Sequence, residues 1–360
     1  MFLMRFTERA YTTYTEEAVR SSPNQAVRLT FSNSNFDPKV GARQYNEYLD
    51  EYEYCEEVGF DGLMLNEHHN TPTCLGATMN LEAAILARNT KNPKIVLMGN
   101  PLPTFENPLR VAEEIAEIDM ISNGRVVSGF VRGTGVESLA ANINPLHNRE
   151  RFEEAHDLII KTWTTPGPFR WEGKHYQFRV VNPFQMPLQK PHPPVFMPAM
   201  NPKSMERNAR EGYGAAMAGG RWTLEREDLG WWKGWHREWV EALARHGRTT
   251  KECPASVFMN FFCTDDPERA WAKHREGILY VTHAYAALRS EPLVPETPEE
   301  LPHWDKVFLT PDQMVKLLRE LFDGAPPDHL LLWDATPGMS YEESYESHKM
   351  FIEQVWPKLI

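Results

Sequence analysis

Gly59-Phe-Asp-Gly-Leu-Met-Leu-Asn-Glu-His-His69 holds a helix stop, a short apolar run and three ionisable side chains at the end of that run. The run reads as a β-strand over 62–66, delivering Glu67, His68 and His69 to its carboxyl end. In a parallel α/β barrel the carboxyl ends of the strands carry the chemistry, so these three residues are the first candidates for an active site. A His pair at such a place can also do nothing more than cap a strand or bond a neighbouring backbone. The pattern around it favours a site.

Working outward, apolar runs of four to six residues alternate with segments of helical period, as in βα units rather than a sandwich or bundle. Strands are expected near 2–6, 62–66, 94–99, 125–130, 194–198, 213–218, 256–263 and 328–333. Eight of them suggest closure. Tyr45, Tyr48, Leu49, Tyr52 and Cys55 recur at helical spacing and Gly59 follows as the stop. Asn107 as N-cap and Pro108 at the first position open another helix, whose inner face is Val111, Ala112, Ile115 and Ile118 before Gly124 ends it. A third is expected from about Asn148 to Trp163.

Three segments exceed a minimal barrel. Residues 8–41 contain Tyr11, Tyr14, Asn33, Asn35 and Phe36; residues 164–193 are proline-rich, with a small hairpin over 171–176; residues 281–310 follow strand seven and include Pro292, Pro295, Pro298 and Pro302. Long irregular connections in compact domains tend to be lids or binding loops, and a mobile lid using Tyr285, Leu288 and Leu293 is expected in the last. The chain is read as a single domain over residues 1–360 with these insertions.

A net charge of −12 argues against a nucleic-acid or anionic-membrane partner, since both require a basic footprint. A small-molecule substrate is the better expectation. Cys55, Cys74, Cys253 and Cys263 show no CxxC spacing and no disulfide density, which suggests reduced thiols in a cytoplasmic protein and no zinc site. The N-terminus lacks the apolar run of a signal peptide, and no segment approaches the roughly 20 apolar residues of a membrane span.

A second constellation begins at Gly124: Gly-Arg-Val-Val-Ser-Gly-Phe-Val-Arg-Gly-Thr-Gly. A strand here delivers Arg132 into a turn with Gly133 and Gly135, where a guanidinium and exposed backbone N–H groups converge on a place for an anion. Arg149, at the start of the next helix, adds a second charge beside a helix N-terminus. Arg132 could equally pair with a core carboxylate; two arginines beside one helix end favour phosphate. A dinucleotide fingerprint is absent, because the third glycine and the later acidic residue are missing.

Asn66-Glu67-His68-His69, Gly99-Asn100-Pro101-Leu102-Pro103, Pro108-Leu109-Arg110-Val111-Ala112-Glu113-Glu114 and Gly129-Phe130-Val131-Arg132-Gly133 together resemble the bacterial luciferase-like, flavin-dependent monooxygenase family. Phe196 to Ser204 and the tail from Asp328 resemble later parts of the same family, so the likeness covers nearly the whole chain. The resemblance implies a (β/α)8 TIM barrel, usually a homodimer. Such a barrel binds reduced FMN from a separate flavin reductase and reacts it with O2 through a C4a-(hydro)peroxyflavin to oxygenate a small, largely apolar substrate. It further implies that His68 assists the oxygenated flavin, that Arg132 and Arg149 hold its phosphate, and that Met200, Asn201 and Ser204 contact it. The family's unusual peptide beneath the flavin ring would fall at Met98-Gly99. Val131 stands where bacterial luciferase has a reactive cysteine, so oxygenation rather than light emission is implied.

His68 suits such a role because an imidazole titrates near neutrality and is tuned by burial or by a partner such as Glu67. Trp222, Trp231, Trp232, Trp235, Phe258, Phe261 and Phe262 are available as apolar walls, although Trp231, Trp235 and Trp239 recur at helical spacing and are expected to pack a helix. Three alternatives stand beside oxygenation. Glu67, His68 and His69 as metal ligands fit poorly, because adjacent residues on an extended chain point apart. A deazaflavin-dependent dehydrogenase or reductase would share the anion site, and a non-catalytic flavin-binding protein would share it too.

Overall fold

The eight apolar runs form eight parallel strands that close on themselves. A computed structural model of the chain describes residues 1–11, 13, 27–217, 230–288, 296–301, 307–333 and 338–360. Tyr14, Trp222, Pro292, Leu293, Pro295 and Pro302 lie outside the described residues. The strands are β1 (Phe2–Phe6), β2 (Gly62–Leu65), β3 (Lys94–Leu97), β4 (Val126–Val131), β5 (Val195–Pro198), β6 (Gly214–Met217), β7 (Ala255–Asn260) and β8 (His329–Trp333). Each pairs in parallel with its neighbour in sequence, β8 returns to β1 and β3 pairs with β4, so the sheet has no open edge. This is a (β/α)8 barrel. Strands buried on both faces need continuous apolar runs, which is why the sequence shows runs rather than alternation.

Side chains still alternate in direction along each strand. Met4, Phe6, Met64, Val96, Met98, Val127, Phe196, Ala216 and Leu331 fill the barrel, with Phe258 and Trp333 packed against them. The opposite set, including Leu3, Leu63, Leu65, Ile95, Leu97, Phe130, Leu330 and Leu332, meets the surrounding helices. The helices are α1 (Pro38–Val58), α2 (Met79–Asn89), α3 (Pro108–Ile121), α4 (Asn148–Thr164), α5 (Pro202–Glu211), α6 (Gly230–Arg245), α7 (Pro311–Phe322) and α8 (Tyr341–Met350). Asp37 caps α1 through the Lys39 amide, and Gly59 ends it in the left-handed region at φ 100°. Asn107 caps α3 as expected, but the helix stops at Ile121, three residues before Gly124.

The tryptophans of α6 pack, as their spacing predicts. Trp232 and Trp239 are fully buried, Trp235 stacks between them, and each indole N–H donates to a carbonyl: Ala325, Cys253 and Ala199 respectively. The hairpin forms from Phe169–Glu172 and Gln177–Val181.

Strand seven is shorter than expected. It ends at Asn260, and Phe262–Cys263 instead pairs with Phe308–Leu309 outside the barrel. Residues 281–310 are correspondingly not all loop: 281–288 finish a helix, Pro267–Leu288, that precedes α7. Phe262, Trp271, Ile278, Leu279, Leu301, Val307 and Phe308 make a small separate core beneath it. The expected lid residue Leu293 lies outside the described residues, as does most of the segment between Leu288 and Phe308. All four cysteines are buried, and no helix among the described residues is long and apolar enough to cross a membrane.

Candidate active site

Beyond Leu65 the chain leaves the barrel but keeps the alternation of β2. Met64 faces inward, and Asn66 and His68 follow it; Glu67 and His69 take the other side. This settles the partners. Glu67 Oε1 lies 3.1 Å from His69 Nε2, and its Oε2 accepts the amide of Met79, the first residue of α2. The expected Glu67–His68 pair does not form, because neighbours on an extended chain cannot face each other. Glu67 is buried and anchors α2 instead.

The imidazole of His68 lies between two other carboxylates. Its Nδ1 is 2.7 Å from Glu137 Oε1, and its Nε2 is 3.8 Å from Glu8 Oε2. Glu137 is held by the start of a helix, Gly135–Ala140, in which Thr134 and Glu137 form a reciprocal capping box. Its second oxygen accepts the Thr134 amide at 2.8 Å. Glu8 extends the inward parity of Phe6, and its Oε2 accepts from the Asn66 amide group at 2.7 Å. Below it Arg9 is buried at φ 53°, donating to the Asn66 carbonyl and pairing with Glu82 at 2.8 Å. Burial raises the Glu82 carboxyl against the pull of Arg9. A Cβ on Gly76 would lie 1.8 Å from Arg9 Nη2, so a larger residue there would have to displace the buried guanidinium.

Neither Glu8 nor Glu137 was singled out from the sequence. Thr134-x-x-Glu137 is a readable capping signature that locates the carboxylate at a helix start. Nothing local to it points to His68, which lies 69 residues earlier.

Arg132 leaves the end of β4 exposed, and among the described residues it makes no hydrogen bond or ion pair. Gly133 follows at φ 67°, a left-handed conformation that suits glycine. Arg149 sits in the first turn of α4, where its Nε donates to Glu153 Oε1 at 3.0 Å. That helix start has no side-chain cap; a 3-10 turn, Pro145–His147, runs into it, and the Asn148 amide donates to the Pro145 carbonyl. It is tied to the same face by Ser138 donating to Asn148 at 2.7 Å and by Arg151 donating to the carbonyls of Pro103 and Phe105.

The Met98–Gly99 peptide is cis. A Cβ on Gly99 would lie 2.8 Å from the Gly129 carbonyl oxygen, and one on Gly129 would lie 2.1 Å from that of Leu97. Both glycines permit the close approach of β3 to β4 at this end. Met200 is half exposed past β5. Asn201 and Ser204 cap α5 reciprocally, so their side chains already serve the helix start. A cavity of about 600 Å³ opens beside the end of β2, lined by Tyr11, Phe31, Phe36, Asn70, Pro72 and Leu75 among others.

Of the positions named from the sequence, Glu67, His68, His69, Met98, Gly99, Arg132, Met200 and Asn201 follow the carboxyl ends of β2 to β5, whereas Arg149 and Ser204 lie in the first turns of α4 and α5. A profile of the luciferase-like monooxygenase family matches residues 28–308. The chain belongs to the luciferase-like monooxygenase family.

Within that family, the chain is 27% identical over 179 residues to the oxygenase component of a flavin-dependent trigonelline monooxygenase from Acinetobacter baylyi, covering 49% of each. The chain spans about half the length of the curated relatives it matches. Among solved structures, monooxygenase RslO1 from Streptomyces bottropensis superposes with a TM-score of 0.77 at 22% identity over 100% of both chains. The oxygenating constituent of 3,6-diketocamphane monooxygenase from Pseudomonas putida, in complex with FMN, gives 0.72 at 20% identity over 89% of this chain and 94% of that one. An F420-dependent secondary alcohol dehydrogenase gives 0.67 at 17% identity over 88% and 95%. At such identities the likeness is one of fold.

Proposed function

We propose that the protein is the oxygenase of a two-component system, taking reduced FMN from a flavin reductase and O2 to oxygenate a small, largely apolar organic substrate. The observation that carries this reading is the double use of Glu137: one oxygen meets His68 and the other holds the Arg132 turn. An acid–base group and an anion-binding turn are thereby one unit. The relative described as an oxygenase component supports the two-component assignment. The alternative, a deazaflavin-dependent dehydrogenase, has no observation that favours it beyond a shared fold.

The residues fit a flavin phosphate. Arg132 is exposed and unpaired among the described residues, Gly133 keeps the turn open, and the start of α4 brings a second guanidinium, that of Arg149. When bound, reduced FMN supplies electrons to O2, the step that no protein side chain can perform. Arg132 and Arg149 would hold its phosphate, and Met98, Gly99 and Met200 would border the ring. Asn201 and Ser204 would contribute through the helix start that they cap. His68 would give or take a proton at Nε2, the nitrogen not committed to Glu137 at short range. Glu137 would hold the ring's orientation, and Glu67 would act indirectly by fixing His69 and α2.

The flavin anchor gives the test. Neutralising Arg132 should remove a charge-assisted contact worth about 1.5–3 kcal/mol, which corresponds to a roughly tenfold or greater loss of FMN affinity. Arg149→Ala should do the same to a smaller extent, since Arg149 also serves Glu153. Riboflavin lacks the phosphate and should bind each variant as it binds the parent. Equal losses for both ligands in a fluorescence titration would assign the arginines to folding.

We also infer a homodimer. Leu81 and Ile85 on α2, with Met120 and Ile121 at the end of α3, are exposed apolar side chains on adjacent helices. Leu81→Lys should shift the sedimentation coefficient to that of a monomer; an unchanged dimer would move the interface elsewhere.

A further inference from the structure

Beside the proposed phosphate anchor, the hairpin insertion meets the start of α4 through a cluster that the proposed reaction does not use. We propose that His147, Glu150 and His175 form a binding site for one divalent transition-metal ion, with Zn2+ the best suited. Their candidate ligand atoms all lie within 4.8 Å of one another. His175 Nε2 is 2.9 Å from Glu150 Oε2, and His147 Nδ1 is 3.9 Å from the same oxygen. Tetrahedral zinc with bonds of about 2.0–2.1 Å needs ligand atoms roughly 3.3 Å apart, so small side-chain rotations suffice. Two imidazoles and a carboxylate, with water in the fourth position, are a donor set that zinc accepts. Mg2+ and Ca2+ prefer oxygen ligands and should be rejected.

The three ligands come from two elements, and their relation is already fixed. His147 and Glu150 flank the first turn of α4, at i and i+3. His175 lies in the hairpin turn, and that turn is held by one carboxylate, that of Glu154. It accepts the amides of His175 and Tyr176, both at 2.9 Å, and the indole N–H of Trp171 at 3.2 Å. The backbone that carries His175 is therefore held against α4 before any ion arrives.

Lys174 competes for the same oxygen, with its Nζ 2.7 Å from Glu150 Oε2. Its side chain is 68% exposed, so moving the ammonium into water costs little. A bound ion would pin the hairpin to the helix turn that carries Arg149. The proposal needs no flavin and stands apart from the oxygenase reading.

The experiment is a Zn2+ titration of the metal-stripped full-length protein against a chromophoric chelator, repeated with Mg2+. One equivalent of Zn2+ should bind with a Kd of about 10 μM or tighter, and saturating Zn2+ should raise the melting temperature. His147→Ala and His175→Ala should each weaken binding about tenfold or more and lose the thermal shift, with circular dichroism confirming that they fold. Lys174→Ala should bind at least as tightly as the parent. Overturning results are no saturable binding at about 100 μM Zn2+, parent-like affinity in either histidine variant, weaker binding by Lys174→Ala, or Mg2+ binding as well as Zn2+. If a histidine variant does not fold, Glu150→Gln supplies the same comparison.

Discussion

His68→Ala is expected to retain reduced-FMN affinity within about threefold while coupled oxygenation falls by roughly 10²–10⁴, the range of a lost acid–base group. The missing oxygen should appear as hydrogen peroxide. The expectation follows from where the ring sits: it shares the inward parity of Met64, and its Nδ1 is committed to Glu137 at 2.7 Å, while Nε2 stands 3.8 Å from Glu8. Truncation to Ala removes the proton carrier and leaves Glu137 its second partner, the Thr134 amide. The Arg132 turn should survive. His69→Ala is the control, because His69 is bonded to Glu67 on the opposite face. Single-turnover mixing of reduced protein with O2 and substrate, with product and peroxide both quantified, decides the matter. Full product yield from His68→Ala would sink the catalytic assignment.

Glu51→Gln is expected to lower unfolding free energy by about 3–5 kcal/mol, as breaking a buried ion pair leaves the other charge uncompensated. Arg5 is fully buried in β1, and its Nη2 lies 2.7 Å from Glu51 Oε1 on α1. Ser344 of α8 donates to the same oxygen, and His348 Nε2 lies 3.8 Å from it. One carboxylate thus joins the first strand, the first helix and the last helix. Burial alone would raise the Glu51 carboxyl, but Arg5 and His348 outweigh it and the net shift is downward from 4.5. A depressed carboxyl contributes stability that is present above its unfolded value and lost as pH falls through the folded one. The difference between parent and variant should therefore be full near neutrality and shrink on acidification below about 4.5. Denaturant unfolding at several pH values measures it. A loss below about 1 kcal/mol at neutral pH would mean that Arg5 finds another partner, and replacing both residues with apolar ones should cost far less than replacing Glu51 alone.

Much of the site was legible because barrel chemistry follows strand ends. Once 62–66 and 125–130 read as strands, His68 and Arg132 had to emerge at the same rim. Sequence adjacency misled only where it stood in for contact: Glu67 is next to His68 in the chain and turned away from it in space. The excursion after strand seven was misjudged for a similar reason. Its prolines marked an irregular stretch, but the helix Pro267–Leu288 runs into 281–288, and Trp271, Ile278 and Leu279 on it pack into a small core with residues as distant as Phe308. That core is invisible in any local window.

Taken alone, the sequence determined the existence of eight strands, the stop of α1 and the start of α3. These depend on local matters: burial on both faces demands apolar runs, and caps and left-handed turns demand Asp, Asn, Pro or Gly at particular places. Tertiary structure alone decided which carboxylate serves His68, which charges are buried together and which loop donors meet. Glu137 reaches His68 across 69 residues, Ser344 reaches Glu51 across 293, and His175 reaches Glu150 across 25. Closure of the sheet brings β4 beside β3 and β8 beside β1, so such pairings are consequences of topology, which no local pattern of residues encodes.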